Sequence, residues 1–226
     1  MMRLLRSAFA VLQKDLRLEL RSRVGINSLI LFVFTSLFIA FFGISQQPVG
    51  PRVEAALLWI VVLFAAAIGM GRTFVAEEEQ QTSLLLKLNA SPLAIYLGKL
   101  TFNFILLAVV NLLATGVFIV LLNKTVADPV TLLGVVLAGS LALAGSTTLL
   151  SALIVHAGGV GLLPVLMFPL LLPLMGALVN ATRISLSIPP MGVPTGVLGE
   201  NLTTIVAFAG VTITASVLLF DQVWQD

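Results

Sequence analysis

Cysteine is absent from the chain and histidine occurs once, so disulfides, thiolate metal sites and thiol catalysis have no residues to use, and imidazole chemistry would rest on His156 alone. Charge is scarce as well. Only 10% of the residues are Asp, Glu, Lys or Arg, and a net charge of +2 leaves no basic tract for a nucleic-acid partner. There is no GxxxxGK[ST] loop to cradle a phosphate, no HExxH helix and no GxSxG elbow. The polypeptide is therefore expected not to be an enzyme by itself. Nor can it be an ordinary soluble domain, because 59% of its residues are hydrophobic.

That apolar content is gathered into six runs, at 27–44, 55–71, 102–122, 130–155, 160–179 and 202–220. A bilayer core of roughly 30 Å is crossed by about 20 mostly apolar helical residues, so each run is long enough, or nearly so, to span it. The expected fold class is all-α and polytopic: an amphipathic segment at 1–26 followed by a single transmembrane domain over 27–226. The first run is too long for a signal-peptide core and lacks a small-residue cleavage site, so it reads as a permanent span.

The few charges are unevenly placed. Arg3, Arg6, Lys14, Arg17, Arg21 and Arg23 precede the first run, and Arg72, Lys87 and Lys99 lie between the second and third. Only Arg52, Lys124 and Arg183 fall on the alternate side. By the positive-inside rule both termini and the 72–99 segment are expected in the cytoplasm. The spans themselves hold almost no ionisable side chain, which argues against a proton- or ion-coupled carrier.

Within 1–26, Leu5, Phe9, Leu12, Leu16 and Leu20 fall on one helical stripe while Arg3, Arg6, Lys14, Arg17 and Arg21 cluster on an adjoining face. Such a helix is expected to lie in the cytoplasmic interface, as an anchor or as an elbow that moves, with Gly25 and Asn27 turning the chain into the first span. Segment 72–99 is too long for a turn and too apolar at Leu84, Leu85, Leu86 and Leu88 for a free linker. Glu77, Glu78 and Glu79 sit at the dipole-positive start of an expected short helix and Lys87 near its end. Ser91-Pro92 reads as the cap and first residue of the next helix. Pro164, Pro169 and Pro173 predict a bent or interrupted fifth span, a candidate hinge. Beyond it, 180–201 reads as a long apolar external loop packed on the spans or dipping into the interface. Glu54 with Trp59 reads as an interfacial anchor pair, and His156 as an interfacial residue in preference to a haem ligand.

Four blocks in order, LQKDLRLELRSR at 12–23, LLWIVVLFAAAIGMGRTFVAEEE at 57–79, SPLAIYLGK at 91–99 and LLPVLMFPLLLPL at 162–174, resemble the CcmB family of haem exporter permease subunits in cytochrome c maturation. HAGGVG at 156–161 departs from the more polar turn expected there. The resemblance implies an ABC-2-like permease of six spans with a cytoplasmic coupling helix, placed in the bacterial inner membrane. It implies two permease copies joined to a separate CcmA-like ATPase that binds the ATP, with CcmC-, CcmD- and CcmE-like proteins handling haem. It carries the ATPase contact onto Glu77, Glu78, Glu79, Thr82, Ser83, Leu84 and Leu85, to which the apolar Leu88 adds a further anchor. Haem is the species handled, and no cofactor is assigned to the chain itself. Two other readings fit the residues: an ABC-2 permease exporting a lipid, glycan or drug, and a membrane scaffold that recruits an ATPase without transporting.

Overall fold

A computed structural model describes residues 2–44, 49–70, 88, 90–157, 162–186 and 196–225. Among them are seven helices and no strand: α1 (Met2–Ser22), α2 (Val24–Ile44), α3 (Pro51–Met70), α4 (Pro92–Leu121), α5 (Pro129–Ala157), α6 (Leu162–Leu186) and α7 (Gly196–Gln225). Helices α2 to α7 supply six segments long and apolar enough to cross a membrane, and the chain is a polytopic all-α membrane protein. In a bilayer every backbone amide must be satisfied within its own segment, which is why such runs have no alternative to helix.

α5 is the hub. It packs against α3, α4, α6 and α7, whereas α2 lies at the periphery beside α3 and α4. The cause is side-chain size. With lipid tails as apolar as leucine, helices associate where small residues let them approach, and α5 carries Gly139, Ala142, Ala144, Gly145, Ser146 and Ala152 along its length. Gly139 marks the closest approach: a Cβ there would sit 2.6 Å from Trp59 Cη2 and 2.7 Å from Leu178 Cδ2. Hence α3, α5 and α6 meet at a point that only glycine fits.

The two ends of the bundle carry different charges. At one end Lys124, just after α4, pairs with Glu54 in the first turn of α3 at 2.8 Å, and the Asp128 N–H donates to the Ser185 carbonyl of α6 at 3.1 Å. Arg52 and Arg183 belong to this end. At the opposite end α1 docks on the start of α4. The alternation read from the charge pattern is thus the alternation of the helices, with Arg72 and Lys87 outside the described residues.

Three expectations are corrected. Of the bend or interruption expected in the fifth span, the interruption is absent: α6 runs unbroken through Pro169 and Pro173, with Pro164 in its first turn. The two internal prolines are four residues apart and both exposed, so the backbone hydrogen bonds they delete fall on one outward face and the packed face of the helix is left whole. Most of 180–201 is helix in place of loop, since α6 extends to Leu186 and α7 begins at Gly196. Within that helical stretch both hydroxyls are satisfied, Thr182 by accepting the Trp59 indole N–H and Ser185 by donating to the Ala181 carbonyl. Finally, Glu54 and Trp59 are not an interfacial pair: Glu54 bonds Lys124, and the indole is buried among α3, α5 and α6.

Candidate functional site

Expected coupling residues Glu77, Glu78, Glu79, Thr82, Ser83, Leu84 and Leu85 lie outside the described residues. Leu88 is described: it is helical and 75% exposed, an apolar side chain that the described part of the chain leaves uncovered. Three residues on, Ser91 has extended backbone (φ −68°, ψ 148°) and Pro92 opens α4 as the cap reading expects, although the Ser91 side chain makes no capping hydrogen bond.

α1 presents three faces where the sequence suggested two. Arg3, Arg6, Arg17 and Arg21 are exposed and Lys14 is half-buried. The apolar stripe points away from the bundle, with Leu5, Phe9 and Leu20 exposed and Leu12 and Leu16 half-buried, an arrangement suited to an acyl boundary. The third face, Ala8, Val11 and Asp15 at i, i+3 and i+7, packs on α4. Contact is close because α4 offers Gly98, where a Cβ would come within 2.7 Å of Val11 Cβ and 2.8 Å of the Ala8 carbonyl oxygen.

Beside that contact Asp15 Oδ2 faces Lys99 Nζ at 3.6 Å, with Lys14 Nζ 3.4 Å from Asp15 Oδ1. Lys99 is only 1% exposed, so the residue that served as a topology marker is a buried cation. Removing a charge of this kind from water is costly unless an opposite charge accompanies it, which accounts for an acid on the inner face of a predominantly basic helix. One turn before Lys99, the Tyr96 ring meets Phe220 of α7 with centroids 5.4 Å apart. The middle of α1, the start of α4 and the end of α7 are therefore gathered at one end of the bundle.

Deeper in the bundle a seam of uncharged polar groups joins α4 to α5. Asn103 Nδ2 donates to Thr148 Oγ1 at 2.8 Å, and Asn111 Nδ2 to Ser140 Oγ at 3.1 Å. Ser140, Ser146, Thr147 and Thr148 in turn donate to carbonyls four residues back in α5. Such hydroxyls are satisfied locally and serve as helix-to-helix glue. Among the described residues no group of His, Cys, Asp and Glu is gathered to hold a metal ion. Nothing in the seam is a nucleophile paired with a base. The arrangement can fix helices against one another and transmit displacement between them.

Sequence reasoning missed Asp15, Lys99 as a buried group, Asn103, Asn111 and the Trp59–Thr182 bond. Signals for some of them exist. Asp15 stands four residues after Val11 on a predominantly basic helix, and Asn103 and Asn111 are the two amides in an apolar run, eight residues and hence about two turns apart on one face.

Comparison with curated proteins gives no match. The family model described as CcmB protein matches residues 6–219, which takes in α2 to α6 entire together with most of α1 and α7. The family's members are permease components of an ABC-type haem exporter for cytochrome c maturation, and a chain of six apolar helices with no phosphate-binding loop is what such a component requires. On that match, this chain belongs to the CcmB family.

Proposed function

We propose that the chain is the membrane-spanning permease subunit that couples a separate cytoplasmic ATPase to haem delivery for c-type cytochromes, in the bacterial inner membrane with both termini in the cytoplasm. The observation that carries this reading is the family match over 6–219. The absence of a phosphate-cradling loop supports it, because ATP must then be bound elsewhere. A CcmA-like ATPase docks on the coupling segment, where Glu77, Glu78 and Glu79 steer basic groups and Leu84, Leu85 and Leu88 fill an apolar groove. Thr82 and Ser83 lie between them. Two permease copies bind two ATPase copies, and CcmC-, CcmD- and CcmE-like proteins receive haem as the handled species. The docking residues lie between spans, so changing them leaves membrane insertion intact.

Co-purification tests it. Wild-type chain in mild detergent retains the ATPase and, with it, ATP turnover that the chain alone lacks. Changing Glu77, Glu78 and Glu79 to Lys slows association and raises its salt sensitivity, and Leu84→Asp weakens the complex by on the order of 2 kcal/mol, as for a buried anchor. Retention of the ATPase by both variants at wild-type strength would move the contact elsewhere. ATP turnover by the purified chain alone would overturn the reading.

A further inference from the structure

The peripheral span α2 meets α3 and α4 along one stripe, Leu29, Val33 and Leu37, four residues apart and all buried. At one end the fit is tight. Leu29 lies against α3, where a Cβ on Gly69 would come within 2.8 Å of Leu29 Cδ1. The next step of the stripe, Phe41, is only half-buried, and here α2, α3 and α4 border a cleft of about 260 Å³. Leu37 and the buried Phe118 of α4 form its base, with Phe41, Leu57 of α3 and Leu121 and Leu122 of α4 half-buried along its walls. Every lining side chain is apolar. Leu57 follows Glu54 by one turn and Leu122 precedes Lys124 by two residues, so the Glu54–Lys124 ion pair stands at the mouth of the cleft. The Lys124 side chain is 32% exposed, and its ammonium carries three N–H donors of which Glu54 Oε2 takes one. Arg52, in the same first turn of α3 as Glu54, is exposed.

From this juxtaposition we infer that the cleft between α2, α3 and α4 is a binding site for one acyl chain of an anionic phospholipid whose phosphate meets Lys124. An apolar cleft does not hold water, and side chains that border a gap forfeit dispersion contacts that an apolar occupant restores. The site selects a flexible chain. A helix is about 10 Å across with its side chains, too wide to enter a space of this size, so the flank of another span does not fill it. Charge at the mouth selects the headgroup: Lys124 and Arg52 set two cations against the single carboxylate of Glu54, which favours a lipid with net negative charge. The lipid then acts as a wedge that completes the packing of α2 at the end where the protein's own stripe loosens. The site does not depend on the ATPase contact.

Photo-crosslinking tests it on the full chain in phosphatidylcholine vesicles that contain a minor share of phosphatidylglycerol with a diazirine in its acyl chain. After irradiation, peptide mass spectrometry is expected to find adducts concentrated on Phe41, Leu57 and Leu121, above the level at Val206 and Val211, which are exposed on α7 and report ordinary lipid contact. Ala40→Trp fills the cleft, whose lining includes Ala40, and brings cleft labelling down to the α7 level. Leu121→Trp on the opposite wall does the same and serves should Ala40→Trp not fold. Changing Glu54 and Lys124 together to Gln, which leaves no unpaired carboxylate, lowers cleft labelling by about fivefold, the order expected for one cation facing an anionic headgroup. A phosphatidylcholine probe with the same diazirine labels the wild-type cleft less than phosphatidylglycerol does. Equal labelling of cleft and α7 in the wild type would mean passing lipid contact only and overturns the site. Undiminished labelling in a cleft-filling variant that folds or in the paired Gln variant, or equal labelling by the two probes, overturns it as well.

Discussion

The indole N–H of Trp59 in α3 donates to Thr182 Oγ1 in α6 at 2.8 Å, and the far edge of the same ring occupies the space that a side chain on Gly139 of α5 would need. One residue thus ties two helices by a hydrogen bond and sets the spacing of a third. Gly139→Ala should destabilise by about 1–3 kcal/mol through overpacking, and Trp59→Phe by about 0.5–1.5 kcal/mol through the lost bond. Because the smaller ring makes room at Gly139, the double variant should lose less than the two single losses combined. Thermal unfolding of the four proteins in one detergent closes the cycle, and strict additivity would show that the two sites do not share that space.

Asp128 begins α5 as an N-cap: its carboxylate accepts the Thr131 N–H at 3.0 Å and the Thr131 hydroxyl. Those hydrogen bonds, the hydroxyl's first, hold its pKa below the ordinary carboxylate value. A lowered folded-state pKa means that the stabilisation is complete above the unfolded value, about pH 4, and is lost as the pH falls through the folded one. Wild type should therefore melt higher than Asp128→Ala at neutral pH, and the gap should close only below about pH 4. A gap that persists undiminished in acid would mean that the carboxylate is not the source.

The elbow between α1 and α2 places a non-glycine residue, Arg23, at φ 55°, which costs roughly 1–2 kcal/mol for an L-residue. Arg23→Gly should accordingly raise stability by up to about 1 kcal/mol, as glycine does at the left-handed position that ends a helix. Glu19→Ala should lower it by about 1 kcal/mol, because the Ile26 N–H near the start of α2 loses its acceptor. Unfolding midpoints measured side by side check both signs.

Orientation follows from which end of the bundle carries the basic residues. With Glu78→Cys or Thr125→Cys as the sole thiol, a membrane-impermeant maleimide applied to intact spheroplasts should label position 125 and leave 78 unlabelled until the membrane is opened. The reverse pattern would invert the topology, and labelling of both from outside would break the six-span map.

Helix class and number were legible in the sequence because bilayer spanning is a one-dimensional property. A run of apolar residues of sufficient length crosses as a helix whatever its neighbours do, and a helix long and apolar enough to span lies on each of the six runs expected. The start of α4 was equally readable, since Ser-Pro acts locally on the backbone. Charge order along the chain likewise separated Arg52, Lys124 and Arg183 from the basic N-terminal segment, and the two groups lie at opposite ends of the bundle.

Partner choice was not legible. The sequence by itself determined that this is a six-span helical protein with a basic amphipathic helix and, through the order of its blocks, its family. Only the tertiary structure decided that α1 rests on α4 instead of the span it precedes, that Lys99 is buried against Asp15, and that Trp59 leaves the interface for Thr182 and the space at Gly139. The small residues of α5 were on view, and so was the spacing of Val11 and Asp15. What they meet is set by contacts between positions 84 and 123 residues apart in the chain, Asp15 with Lys99 and Trp59 with Thr182. Propensity and hydropathy act within one segment and hold no information about which faces come together, a choice made by close packing and by the cost of leaving a polar group unpaired in hydrocarbon.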